Sequence, residues 1–193
     1  MGRQISKWLS ILGVATCVAV AGSAQAQWAT LDSENSSVTY VSTKLNDISE
    51  IHGFDSISGS ISDSGTVNIS IDAASVNSNI ELRDDRMREF LYEVTAFPEI
   101  GISAEIDLEA LPEGTSQLEF PAIVNLKGVE IPVTVNAFVS RSDSAIAVSS
   151  VQPILLYVAS VGLAEGVAKL AELAGGITIG GSTAVNFSLS FDL

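Results

Sequence analysis

Sulfur, imidazole and positive charge are all scarce in this chain. Among 193 residues there are one cysteine, one histidine and two methionines, and nine Lys plus Arg face 23 Asp plus Glu, a formal charge of -14. So few cations leave no basic footprint to neutralise phosphates, so no nucleic-acid partner is expected. Electrostatic attraction to an anionic membrane surface is disfavoured for the same reason. One histidine and one cysteine leave carboxylates alone to hold a metal, so neither a metal nor a cofactor is expected. Asp84-Asp85 lacks the acidic spacing and glycine of a calcium loop and reads as a solvated helix start. A catalytic Ser-His or Cys-His pairing needs a histidine near a nucleophile. His52 stands beside Gly53 in a loop-like stretch with no identifiable partner, which reads as a turn or rim residue rather than a base. The expectation is a protein that is not an enzyme.

Charged residues in total are also few, 17% against 47% hydrophobic. That balance excludes a disordered chain, and the length suits one domain with a sizeable core. The cysteine, Cys17, falls in a segment that reads as a secretory signal. Met1 to Lys7 carries Arg3 and Lys7 and no acid, Trp8 to Val20 is almost wholly apolar, and Ala24-Gln25-Ala26 supplies a small-x-small cleavage site. We therefore expect residues 1–26 to be removed after Ala26, and residues 27–193 to form one periplasmic or secreted domain with no transmembrane anchor. An uncleaved anchor would want a longer apolar run. A lipoprotein would place its cysteine at the cut, normally after a very small residue, whereas Thr16 precedes Cys17. Without cysteine, the remaining domain has no disulfide and relies on its core.

From Val38 onward the dominant period is two. Val38 and Tyr40 alternate with Thr39 and Val41; Val67, Ile69 and Ile71 with Asn68, Ser70 and Asp72; Ile100 to Leu108 and Val185 to Leu193 behave likewise. Each reads as a strand with one apolar and one wet face, the signature of antiparallel sheets. Asp63-Ser64-Gly65 reads as a hairpin turn between strands near Ile57–Ile61 and Val67–Ile71. Lys127-Gly128 does the same between Phe120–Leu126 and Ile131–Val139. Pro121 and Pro132 are expected at or near strand ends.

Two segments break the period. Met87, Phe90, Leu91 and Val94 fall at helical spacing within residues 79–94, and Leu163, Val167, Leu170 and Ala174 share a face before Gly175-Gly176. The glycine-rich run Gly175 to Gly181 follows a helix and leads into a strand, the reverse of a phosphate-binding loop. The expectation is a mainly β fold, an antiparallel barrel of about eight strands with two short helices. A two-sheet sandwich has the same periodicity.

Three stretches carry a resemblance. The first is Leu31-Asp32-Ser33 and Ser37-Val38-Thr39-Tyr40, then Gly53-Phe54-Asp55 and Gly59-Ser60-Ile61. The second is Ala73-Ala74-Ser75-Val76 with Asn79, Arg83-Asp84, Met87-Arg88, Phe90 and Phe97-Pro98-Glu99-Ile100. The third is Leu126-Lys127-Gly128-Val129 with Pro132-Val133. In this order they resemble the YceI-like family, exported lipocalin-like barrels described as polyisoprenoid-binding. Where the family often has a histidine after its first strand, this chain has Lys44. Its helix start reads Asp85-Arg86-Met87-Arg88-Glu89, and Ser160-Val161-Gly162 replaces an Asp-Phe-Gly step of some relatives.

The resemblance implies a lipocalin-like barrel with a long apolar tail threaded into it. The interior positions expected to touch such a tail are Val38, Tyr40, Phe54, Ile69, Ile71, Phe90, Leu91, Phe97, Ile100, Ile102, Val124, Leu126, Val133, Val135, Phe187 and Leu189. Burying about ten methylene-sized groups contributes ~8 kcal/mol gross, less the cost of ordering tail and protein. Arg83, Arg86, Arg88 and Lys127 are the cations available for a polar head, although each taken alone reads as a surface salt bridge. Asp84 can cap the helix that Arg83 opens. The expected function is an exported, non-enzymatic carrier or sequestering protein for a polyprenol, polyprenyl phosphate or isoprenoid quinone. Relatives suggest a homodimer. The rival is an envelope structural or protein-interaction domain with a solid core, which requires an interior without a continuous cavity and an apolar outer patch. A lipid hydrolase using a serine and His52 ranks last.

Overall fold

The computed structural model describes residues 27–193, so the expected signal at residues 1–26 lies outside the described residues. The period-two segments form strands: β1 Gln27–Leu31, β2 Ser37–Lys44, β3 Ile48–Phe54, β4 Ile57–Ser62, β5 Thr66–Asp72 and β6 Val76–Asn77. They continue as β7 Glu99–Glu105, β8 Gly114–Leu126, β9 Val129–Arg141, β10 Ala145–Ser150, β11 Ile154–Tyr157 and β12 Ser182–Asp192. All belong to one 12-stranded antiparallel sheet, within which β1, β4, β5, β7, β8, β9, β10 and β12 form a ring of eight closed by β12 on β1. The remaining segments extend the same wall. β2 pairs β3 and β12, β6 pairs β3, and β11 pairs β12. Thus β1–β2, β3–β4, β5–β6 and β10–β11 each trace one bent path up the wall.

Local chemistry places the turns. Lys127 and Gly128 have φ of 52° and 75°, the left-handed pair that a two-residue hairpin demands, and Leu126 faces Val129 across it. β7 stops at Glu105, short of the expected Leu108. Asp107 Oδ1 accepts hydrogen bonds from the backbone N–H groups of Glu109 and Ala110, turning the chain out of the sheet. Pro121 and Pro132 fall inside β8 and β9, not near their ends. Each lies where its strand has a neighbour on one side only, because β7 reaches no further than Ala122 and β10 no further than Ala137. A missing backbone donor costs little there.

Helix α1, Glu81–Arg86, widens into a π-helical turn over Met87–Leu91, in which the Tyr92 N–H donates to the Met87 carbonyl at 2.9 Å. One extra residue in that turn rotates the face expected from regular spacing. Met87, Leu91 and Tyr92 are buried, while Phe90 is only half-buried. Helix α2, Ala164–Leu173, packs on this turn and ends before Gly175 and Gly176, both at positive φ. Contact between the two is close at Gly166, where a Cβ would stand 2.5 Å from the Phe90 carbonyl oxygen. The core lies inside the ring, with Phe191, Ile71, Ile146 and Val76 its largest fully buried side chains.

Candidate ligand-binding cavity

Strand alternation aims one side of every residue pair into the ring, and at mid-height several of those side chains are short. Ala104 and Ala122 face each other across β7 and β8, and Ala137 of β9 is fully buried beside them. Where side chains end early, a ring of this size keeps open space. The result is a cavity of about 580 Å³, within the ~300–1,000 Å³ usual for small-molecule sites. It reaches from Asp107, Ala110 and Leu111 at one end of the ring to Arg83, Arg86, Ile177 and Ile179 at the other. The Leu111 end is held by Arg141, whose Nη1 donates to the Leu111 carbonyl at 3.0 Å while its guanidinium lies 5.6 Å from the Trp28 ring centroid.

Of the interior positions anticipated from sequence, all but Phe90 and Phe97 line this cavity. Phe90 is turned away by the π-helical turn. Phe97 precedes β7 with the opposite parity to Ile100 and Ile102, and its ring lies over the Gly128 turn outside the ring. Val158, Leu163, Val167 and Leu170 add apolar lining from the segment between β11 and the end of α2.

The four cations divide two and two. Arg88 and Lys127 stand away from the cavity. Arg88 donates to the Ala74 carbonyl and pairs with Asp85 at 2.8 Å, and Lys127 pairs with Glu93. Arg83 and Arg86 line the cavity. Arg83 is tied on every side: to Glu50 at 2.8 Å, to the Ser78 hydroxyl and to the Ser78 carbonyl, both at 2.7 Å. Arg86 donates to the Leu173 carbonyl at 3.2 Å and forms no ion pair among the described residues. Asp84 is not part of a solvated helix start. It is buried, and Oδ1 accepts hydrogen bonds from the Ser78 N–H, at 2.9 Å, and from the Ser78 hydroxyl. Asp85 alone is exposed.

One face of β2 and β3 carries a polar strip into the cavity. Register pairs Tyr40 with His52 and Ser42 with Glu50, and Lys44 follows at the edge; all five line the cavity. Lys44 Nζ meets Glu50 at 2.7 Å, which holds the Glu50 carboxyl below its ordinary range, with Arg83 assisting against the cost of burial. Deeper in, aromatic rings cluster. Tyr40 meets His52 edge-on at 5.3 Å between centroids and Phe54 at 5.9 Å, and Phe54 meets Tyr92 at 5.6 Å. The Tyr92 hydroxyl donates to the Tyr40 hydroxyl at 3.0 Å, and Tyr40 donates to the Met87 sulfur at 3.7 Å. Burial pushes the Tyr40 phenol up to about 12 and raises that of Tyr92 well above its usual value, so both keep their protons.

His52 is neither a turn nor a rim residue. It occupies the middle of β3 and is 3% exposed, and neither ring nitrogen has a hydrogen-bonding partner among the described residues. Burial, aided by the nearby Arg83 charge, lowers its pKa and keeps the ring neutral. Sequence reading passed over His52, Glu50, Tyr92 and Met87 as site residues. The signal for the first two was present, since Glu50, His52 and Phe54 alternate with exposed Ile51; polar side chains at alternate positions read as the wet face. No described helix is long and apolar enough to cross a membrane.

The fold is shared with known proteins. A polyisoprenoid-binding domain from Saccharophagus degradans, implicated in plant cell wall breakdown, is 30% identical with a TM-score of 0.83, over 86% of this chain and 98% of that one. BcnA of Burkholderia cenocepacia is 16% identical with a TM-score of 0.66, over 83% and 98% of the two chains. A YCEI protein of Campylobacter jejuni is 13% identical with a TM-score of 0.52, over 74% and 84%. At the last two identities the likeness concerns the fold alone. No curated protein matches the chain. The profile of the YceI-like domain matches residues 29–191. The chain therefore belongs to the YceI-like domain family.

Proposed function

We propose that this protein is an exported, non-enzymatic binding protein that carries or sequesters an isoprenoid-type lipid inside its ring. The observation that carries the reading is the apolar cavity of about 580 Å³ running along the ring's interior. A tail of repeated apolar units asks a site for width and length rather than directed hydrogen bonds, and the aliphatic walls of β5, β7, β8 and β9 offer that. The polyisoprenoid-binding relative at 30% identity supports the same choice of ligand. Export rests on the charged, apolar and cleavable layout of residues 1–26. A domain acting through a solid core would have no such interior space.

Protein purified from its own host, analysed by native mass spectrometry and by organic extraction, should release a lipid with an isoprenoid tail. Stripped protein should then rebind a polyprenol or an isoprenoid quinone. Finding no co-purifying lipid and no affinity for either compound would defeat the proposal.

A further inference from the structure

Among the described residues, one buried polar side chain at the cavity wall has no hydrogen-bonding partner. Buried nitrogen and oxygen atoms in folded proteins are nearly always hydrogen-bonded, because leaving one unmade forfeits its hydration for nothing. His52, which lines the cavity from the inward face of β3, breaks that rule: neither ring nitrogen has a partner among the described residues, and both are covered, so a ligand oxygen reaches them with a side-chain shift at the cavity wall. We propose that the ligand brings an uncharged oxygen, a hydroxyl or a carbonyl, to His52, so that the cavity selects neutral isoprenoid lipids over their phosphates. This rests on the lipid-binding reading above and narrows it.

The surroundings favour a neutral group. A neutral imidazole offers one donor and one acceptor, which matches a hydroxyl fully and a carbonyl through the N–H. Tyr40, directly across the ladder, supplies a second hydroxyl whose proton is engaged only by the Met87 thioether, a weak acceptor that a ligand oxygen can displace. The two cations that act on His52, Arg83 and Lys44, are not free to hold an anion, whereas Arg86, at the same end of the cavity, has no ion pair among the described residues and donates to the Leu173 carbonyl. Lys44 and Arg83 both grip Glu50, at 2.7 and 2.8 Å, and a phosphate beside His52 would face that carboxylate. Depth agrees. Tyr40 lies four positions along β2 from Lys44, ~13 Å at ~3.3 Å per residue, so the oxygen would sit well inside, with the tail continuing toward Leu111.

The test compares three probes on stripped protein by displacement of a fluorescent lipid: geranylgeraniol, geranylgeranyl phosphate, and the matching hydrocarbon without oxygen. The wild type should bind the alcohol about tenfold more tightly than either other probe, the scale of one satisfied buried hydrogen bond. His52→Phe should lower the alcohol to the level at which the same variant binds the hydrocarbon, with its fold checked separately by circular dichroism and a thermal melt. His52→Gln, which keeps a donor and an acceptor, should retain the preference. Equal binding of alcohol and hydrocarbon by the wild type, a preference for the phosphate, or a preference that survives in His52→Phe overturns the inference and leaves lipid binding standing. Failure of all three probes to bind rejects the lipid reading itself and this inference with it. Should His52→Phe not fold, the wild-type comparison decides alone.

Discussion

Replacing His52 with phenylalanine should flatten the loss of stability that the ligand-free protein suffers on mild acidification. In the fold, the pKa of His52 lies below its ordinary 6.5, first because of burial and then because of Arg83, with Lys44 acting in the same sense and Glu50 and Asp84 opposing. The unfolded chain therefore takes up the proton first as pH falls. Stability is complete above about pH 6.5 and declines below it by at most ~1.4 kcal/mol per pH unit, until the folded pKa is reached. The carboxyls of Glu50 and Asp32 are held below their ordinary values of 4.5 and 3.8, so their contributions are lost only at lower pH. With one histidine in the chain, the interval between is governed by His52. Urea unfolding of stripped protein near pH 7.5 and near pH 5.5 should show the wild type losing stability, by no more than ~1.4 kcal/mol, and His52→Phe losing less. At the higher pH the variant should be at least as stable, because an unpaired buried imidazole costs about 1–3 kcal/mol. Parallel declines in the two proteins would refute the reasoning.

Ala122→Phe should reduce capture of an isoprenoid probe at least about tenfold, with the thermal midpoint moved by only a few degrees, because the added ring enters open space beside Ala104 rather than packed core. Undiminished binding, measured by the same displacement assay, would place the ligand elsewhere. Gly166→Ala should lower the thermal midpoint. The new methyl would meet the Phe90 carbonyl oxygen at 2.5 Å and the Leu91 Cα at 2.9 Å, and the resulting strain of ~1–3 kcal/mol exceeds the ~1 kcal/mol gained from helix propensity. A raised midpoint would mean that α2 can slide without cost.

Much of the wall was readable because period two is unambiguous when one face is aliphatic. The segments around Val67–Ile71, Ile100–Ala104 and Val185–Phe191 emerge as β5, β7 and β12 with the expected sides inward. The expected strand number corresponds to the ring of eight, although four paths are bent into two segments each. Closure was not readable, since the pairing of Leu31 with Phe191 depends on register between distant segments and leaves no trace in either one. Phe90 misled because helical spacing assumes a regular helix, and in the π-helical turn Phe90 leaves the face that Met87 and Leu91 keep. His52 misled for a different reason: beside Gly53 it read as a turn or rim residue of a loop, whereas Ile48–Phe54 is a strand on which Glu50, unremarked in the sequence, and His52 share the inward face. Asp84 was hidden because a carboxylate buried on Ser78 looks, in sequence, like any acid near a helix start.

β12 runs past four neighbours, β1, β2, β10 and β11. Because it is also the final strand, it acts as the zip of the ring. A ribosome delivers it after every other piece of wall, and contacts spanning most of the chain form slowly. Until then β1 and β2 keep an open edge, and the interior is not yet a container. If the proposed lipid is the ligand, loading follows assembly, with the tail sliding into a finished ring instead of being wrapped by a growing one.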